Sequence, residues 1–358
     1  MPPTAPPPIH FCASADGTRL AYTVTGKGTP LVKAPHWLTH LEYEYQSPLW
    51  RPWIDGLSRG HRLLRMDARA CGLSDADVKD VSFEASVRDL EAVVDAAGYN
   101  TFALMGHSQG AAIAIEYAAR HPDRVTALVI LGGYARGVLK RGLPPERVSE
   151  FEALVQLIEA GWGREDGSYR TMFAMQFAPG ATPEQIASLS DLQRVSCSAV
   201  NAARLVRSYY MIDATPSAPL VRCPTLVMHQ RGDRRVPFEE GRVIAGLIPG
   251  AQFLPLESDN HVLLPQEPAY AEFFEALEAF VPRAAGDETT DAFPSLTPRE
   301  AGILDCIARG LDNAQIATQL GISGKTVRNN ITSIFDKLGV ENRAKAIVLA
   351  REHGMGGA

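Results

Sequence analysis

No apolar run in the chain approaches the roughly 18 residues that a membrane-crossing helix needs. The opening segment, Met1-Pro-Pro-Thr-Ala-Pro-Pro-Pro8, has neither the basic patch nor the apolar stretch of a secretion signal, and reads as a disordered tail over residues 1–14. Cysteine is sparse. Cys12, Cys71, Cys197, Cys223 and Cys306 include no C-x-x-C pair. An odd, unpatterned set argues against a disulfide framework and reads as reduced thiols. A large excess of one charge is missing too: 35 Lys/Arg against 41 Asp/Glu leave −6, which excludes a uniformly basic coat. These absences predict a cytoplasmic protein with no membrane attachment, no metal and no cofactor.

What is present is enough apolar material for a large core. With 358 residues, 46% hydrophobic and 21% charged, the chain predicts two domains. Charge is unevenly spread. Residues 295–358 carry eight Lys/Arg against six Asp/Glu, so the remainder stands at −8. A mildly basic tail on an acidic body suits a local electrostatic footprint for nucleic acid.

From about Thr18 to Pro282, β-rich apolar runs alternate with helical periodicity. Strands are expected at 19–25, 31–34, 62–67, 102–106, 125–131, 225–229 and 252–256, and helices at 83–97, 108–120, 238–247 and 268–280. Such alternation predicts an α/β fold with a mostly parallel sheet. Residues 136–217 break the rhythm with helical patterns and no strand candidate, as a cap over the sheet's C-terminal edge would. Residues 282–295 lose periodicity and gain Pro, Gly and charge, so they read as a linker. Four short helices are expected beyond it.

Gly106-His-Ser108-Gln-Gly110 follows the strand ending near Met105 and opens the helical run Ala111–Ala119. A G-x-S-x-G in that context places a serine on a sharp strand-to-helix turn. Gly232-Asp233-Arg-Arg-Val-Pro237 follows one later strand, and Ser258-Asp-Asn-His261 follows the next. The order Ser, Asp, His is that of a triad in which a base must activate a weak hydroxyl nucleophile. Asp213 and Asp259 compete with Asp233 for the acidic role. With these elements in order, residues 15–281 resemble the α/β-hydrolase superfamily. The resemblance implies Ser108 as nucleophile, His261 as general base and Asp233 as the group that orients it. It also implies an oxyanion hole from the backbone N–H groups of Gln109 and Trp37. Two positions depart from the family's pattern. Pro35-His36-Trp37 stands where many relatives have His-Gly, and Ala70 stands at the first glycine of Arg-Gly-x-Gly. An apolar ligand site is expected from His36, Trp37, Tyr134, Met172 and Tyr209.

Leu296-Thr297-Pro298-Arg299-Glu300 is a capping-box start, and Leu320-Gly321-Ile322-Ser323 joins two later helices with a glycine turn and a capping serine. With Thr326-Val327, Lys337-Leu338-Gly339-Val340 and Asn342-Arg343, residues 296–358 resemble the LuxR-type C-terminal helix-turn-helix. The resemblance implies that the helix from Gly324 enters the major groove of double-stranded DNA. Lys325, Thr326, Arg328, Asn329 and Ser333 would touch bases or phosphates, and Asn313, Lys337 and Arg343 phosphates or their own domain. Asn330 replaces a histidine common in that family.

The combined expectation is an α/β-hydrolase sheet with a helical cap, followed by a small all-α helix-turn-helix domain. Its function would be a homodimeric transcription regulator that senses a small apolar or ester-like ligand. The alternative is an active serine hydrolase that consumes its signal. A weaker third reading is an esterase whose tail binds protein.

Overall fold

Strands with apolar side chains on both faces must be covered on both faces, and here they build one eight-stranded sheet. The computed structural model describes residues 6–162, 164, 167–281, 293, 296–320, 322–352 and 355. Its contacts divide into two units, Met1–Pro282 and Arg283–Ala358. The expected linker lies outside the described residues except for Phe293, as does Gly321.

The strands are β1 His10–Ala13, β2 Arg19–Thr25, β3 Thr29–Lys33, β4 His61–Met66, β5 Phe102–His107, β6 Val125–Leu131, β7 Thr225–Gln230 and β8 Gln252–Leu256. They are ordered β1-β2-β4-β3-β5-β6-β7-β8. β2 runs antiparallel to both neighbours, and the pairs from β4 through β8 are parallel. Every residue of β5 and β7 is buried. β1 is a correction, because residues 10–13 belong to the sheet and not to a disordered tail. Four residues are too few to show an alternation, and backbone pairing with β2 supplies the order.

The first eight helices are α1 Leu41–Gln46, α2 Trp50–Leu57, α3 Phe83–Ala96, α4 Gly110–Arg120, α5 Pro145–Gly161, α6 Ser168–Phe177, α7 Pro183–Ser196 and α8 Ala199–Met211. Then come α9 Phe238–Leu247 and α10 Pro268–Phe280. Helices α5 to α8 form the expected cap. Its stem is tied where the chain leaves and returns: Gly137 N–H donates to Ile212 at 2.7 Å and Ala214 N–H to Ala135 at 2.8 Å. The strand order reverses at β3, between β4 and β5, so the loops after β3 and β5 open at the switch point where ligands bind in such sheets.

The second unit holds α11 Pro298–Ala308, α12 Asn313–Leu320, α13 Gly324–Leu338 and α14 Arg343–Glu352. Both halves of the Thr297/Glu300 capping box are made, and Ser323 Oγ accepts from Thr326 N–H at 3.1 Å to cap α13. The small core includes Leu296, Ile303, Leu304, Ile307, Ile316, Val327 and Ile334.

Candidate functional site

Ser108 sits just past β5 with φ +57, a left-handed conformation that costs a serine about 1–2 kcal/mol. The surroundings impose it. Ser108 N–H donates to Leu131 at 3.1 Å. A Cβ at Gly106 would lie 2.6 Å from Ala111 Cα, and one at Gly110 would lie 2.8 Å from the Pro35 carbonyl oxygen. The turn therefore closes only with glycine on either side of the serine, and it lifts Ser108 over the sheet's C-terminal edge.

The loops after β7 and β8 bring Asp233 and His261 together. His261 Nδ1 and Asp233 Oδ2 are 2.6 Å apart, while Asp233 Oδ1 accepts from the N–H groups of Arg235 (2.8 Å) and Val236 (2.9 Å). Burial works to raise the Asp233 pKa, but the charge and hydrogen bond of His261 and the backbone donor outweigh it and hold the carboxyl below its ordinary value. The Asp233 contact occupies Nδ1 and leaves His261 Nε2 buried and without a hydrogen-bond partner among the described residues, Ser108 Oγ included. The two competing acids lie elsewhere. Asp213 accepts from Thr215 at the cap stem, and Asp259 packs beside Gly232.

Neither the Trp37 nor the Gln109 backbone N–H donates to another described residue. Both residues line the same cavity as Ser108. Leu38, next to Trp37, is also left-handed, with φ +53. His36 is buried edge-on to Trp50 (4.6 Å between ring centres), and its Nδ1 is 3.1 Å from the buried Lys33 Nζ. Burial, then the Lys33 charge, pushes the His36 pKa well below its ordinary value. Burial likewise brings Lys33 down to about 8. Ala70 takes the glycine conformation that its position requires, with φ +65, so the loop survives the exchange. Its neighbour Arg69 clamps Asp89 with two 2.6 Å bonds.

Two cavities meet at Ser108. A space of about 20 Å³, room for one water, lies against His36, Trp37, His107, Phe177 and His261. A larger one of about 550 Å³ runs under the cap past Trp37, Gln109, Tyr134, Phe177, Tyr209 and Tyr210. Of the residues expected to line a pocket, Met172 is a correction. It lies 42% exposed and touches neither cavity, because α6 turns Phe173, Ala174 and Phe177 inward and leaves Met172 and Met175 to solvent. The expected apolar lining also needs correction, since five arginines and two glutamates border the larger cavity. Arg234-Arg235 directly after Asp233 was the sequence signal for this.

On the second unit, Lys325, Arg328 and Asn329 are exposed on α13 and Thr326 is half-buried. Neither Lys325 nor Arg328 forms an ion pair among the described residues. The side chains of Ser333 and Lys337 are engaged elsewhere. Each meets a Glu300 carboxylate oxygen at 2.6 Å, which ties α13 to α11. Arg343 bonds Asn313 at 3.1 Å and the Leu311 carbonyl, so this pair serves its own domain. Asn330 donates to Thr326 at 2.7 Å, inside its helix.

Comparison with known proteins fits both units. A family model described as alpha/beta hydrolase fold matches residues 43–268, and one for bacterial regulatory proteins of the luxR family matches residues 294–350. The chain is 26% identical over 259 residues to the AB hydrolase superfamily protein YisY of Bacillus subtilis, covering 70% of this chain and 92% of that one. It is 25% identical over 257 residues to the pyrrolizixenacetamide deacetylase of Xenorhabdus hominickii, covering 70% and 91%. An esterase from Exiguobacterium antarcticum shares the fold with a TM-score of 0.63 at 23% identity, over 75% of this chain and 98% of that one. The chain belongs to the alpha/beta hydrolase fold family and joins to that fold a C-terminal DNA-binding domain of the luxR family of bacterial regulators.

Proposed function

We propose that this protein is a transcription regulator in which occupancy of the Ser108 cavity by a small molecule changes the DNA affinity of a cytoplasmic homodimer. One observation carries the reading: a luxR-family domain shares the chain with a capped cavity of about 550 Å³, a size that suits a small organic ligand. The unpaired, exposed Lys325 and Arg328, with Thr326 and Asn329 beside them, supply the groove-facing set. Dimerisation follows from the small area one such module offers, since paired half-sites are its usual solution. The test is duplex binding by the full chain across a salt series, with sedimentation to count subunits. Affinity that ignores salt would remove the phosphate contacts and the reading with them.

A second reading, that the protein also cleaves its signal, is favoured by the 2.6 Å Asp233–His261 contact and the free His261 Nε2. In that chemistry Ser108 Oγ adds to an acyl carbon as its proton passes to His261 Nε2. The oxyanion takes the Trp37 and Gln109 N–H groups. The leaving group then departs with the proton from His261, and water releases the acyl group by the reverse route. Labelling with a fluorophosphonate, read by intact mass, separates the readings. A stoichiometric adduct lost in Ser108→Ala and His261→Ala supports turnover, and no adduct on folded protein supports a pure sensor.

A further inference from the structure

The acidic body of this chain carries a cationic chamber. Outside residues 295–358 the net charge is −8, yet the larger cavity is bordered by Arg136, Arg141, Arg147, Arg234 and Arg235 against Glu150 and Glu240, an excess of three positive charges. Some of that charge is already matched. Buried Glu240 lies 3.3 Å from the Arg136 guanidinium and 3.6 Å from that of Arg141, and Arg147 pairs with Glu150 at the rim. Neither Arg234 nor Arg235 has a carboxylate within ion-pair distance among the described residues; Arg234 is exposed, whereas Arg235 is half-buried and its guanidinium stands 5.0 Å over the ring of Phe177. The same ring packs edge-on against His261 at 5.6 Å, so a single phenyl group separates the free cation from the catalytic base.

A second group stands beside it. Tyr210 is 8% exposed and lines this cavity, and its buried hydroxyl makes no hydrogen bond of ordinary geometry among the described residues, with the Arg235 guanidinium next to it. A buried hydroxyl in that state is unfavourable unless a ligand completes its hydrogen bonding. Arg235 is close enough to bias its ionisation: burial raises the Tyr210 pKa, and the Arg235 charge and a weak hydrogen bond from its guanidinium oppose that. A fixed guanidinium fork beside a donor hydroxyl matches a planar carboxylate better than any neutral group.

We propose that the cavity takes a small organic carboxylate, held by Arg235 and the Tyr210 hydroxyl, with its remainder directed toward Ser108. The apolar wall of Trp37, Phe151, Leu154 and Val206 covers the ligand's hydrocarbon part. This rests on the reading of the Ser108 cavity as the ligand chamber. An ester or amide ligand remains compatible with it, provided that the molecule also carries the anion.

The test is calorimetric titration of the full chain with butanoate, hexanoate and octanoate against the matching primary amides. Each carboxylate is expected to bind at least about ten-fold tighter than its amide. Arg235→Met should reduce that preference to about two-fold, and Arg235→Lys should restore part of it. Tyr210→Phe should weaken the carboxylates several-fold and leave the amides unchanged. Arg207→Met, on a surface pair with Glu159, should change nothing. Equal affinity for acid and amide, a preference that survives Arg235→Met, or no carboxylate binding at about 10 mM overturns the proposal. Carboxylates that bind without altering duplex affinity would leave the anion site standing and refute the sensor reading instead.

Discussion

Glu300 bonds the end of one helix to the flank of another, and removing it should loosen the DNA-binding unit as a whole. Its carboxylate accepts from Thr297 N–H at 2.8 Å, from Ser333 Oγ at 2.6 Å and from Lys337 Nζ at 2.6 Å. The reciprocal cap bond from Glu300 N–H to Thr297 Oγ1 is 3.3 Å. In Glu300→Ala the lost half of the capping box costs about 1 kcal/mol. The Ser333 bond to an ionised, buried acceptor is worth about 1.5 kcal/mol. The Lys337 pair, on a side chain 35% exposed, adds only about 0.5 kcal/mol after screening. The total is about 3 kcal/mol, against the roughly 3–9 kcal/mol that a unit of about 60 residues holds in all. All four tryptophans (Trp37, Trp50, Trp53 and Trp162) lie in the first unit, so fluorescence follows that unit alone. Hydrogen exchange over residues 298–338 reports the second. Glu300→Ala should accelerate exchange there by about 100-fold while the fluorescence transition stays in place. Glu300→Gln, which keeps an acceptor, should cost about 1 kcal/mol. The acid limb follows the same bonds. Lys337 first, then Ser333 and the Thr297 N–H, hold the Glu300 pKa at about 2. Its contribution is therefore complete above the ordinary value of about 4.5 and is lost as pH falls toward 2. Unchanged exchange in Glu300→Ala, or an acid limb identical to wild type, would refute this account.

Four further outcomes follow from the geometry. Lys325→Ala and Arg328→Ala should each lower the slope of log affinity against log salt by about one, whereas Lys337→Ala should lower stability and leave that slope nearly unchanged; duplex titrations at several salt concentrations decide. Gly106→Ala must push a methyl against the backbone of Ala111 and Gly110, so guanidinium unfolding should show a loss of about 2–4 kcal/mol. If Ser108 reacts with fluorophosphonate, Asp233→Asn should slow the labelling by about 10³–10⁴ by releasing the His261 tautomer, and a rate within ten-fold of wild type would remove Asp233 from the triad. Buried Lys33 has its pKa brought down to about 8 by desolvation, so above that pH the unfolded chain binds the extra proton. Stability should therefore rise between pH 8 and about 10.5 by up to about 3 kcal/mol, and Lys33→Met should lack that rise in denaturant titrations.

Much of this protein was legible without coordinates because its signals are local. β2 and β6 begin and end where runs with β-branched residues meet turn residues, and the serine turn announces itself by two glycines whose missing Cβ atoms the backbone needs. Ser108, Asp233 and His261 each lie in a short motif that follows a strand, and the Thr297–Glu300 capping box spans four residues. What stayed hidden depends on distant segments meeting. Met172 and Phe173 are neighbours of similar character, and only the packing of α6 decides that one faces solvent and the other the core. Ser333 and Lys337 sit on a helix that reads as a DNA face, but a carboxylate more than thirty residues earlier captures both. β1 exists because β2 offers it an unpaired edge. The charge of the cavity is a further case, since Arg234-Arg235 hints at it but only the fold gathers the other groups. Arg136 and Arg141 from the cap stem, Arg235 from the loop after β7 and Tyr210 from α8 carry no shared motif, and their convergence is set by where the cap comes down on the sheet. The order of residues along the chain thus determined which chemistry and which two modules are present. The tertiary structure alone decided which side chains remain free to meet a ligand or DNA, because that depends on which charges and hydroxyls have already been satisfied by partners far away in sequence.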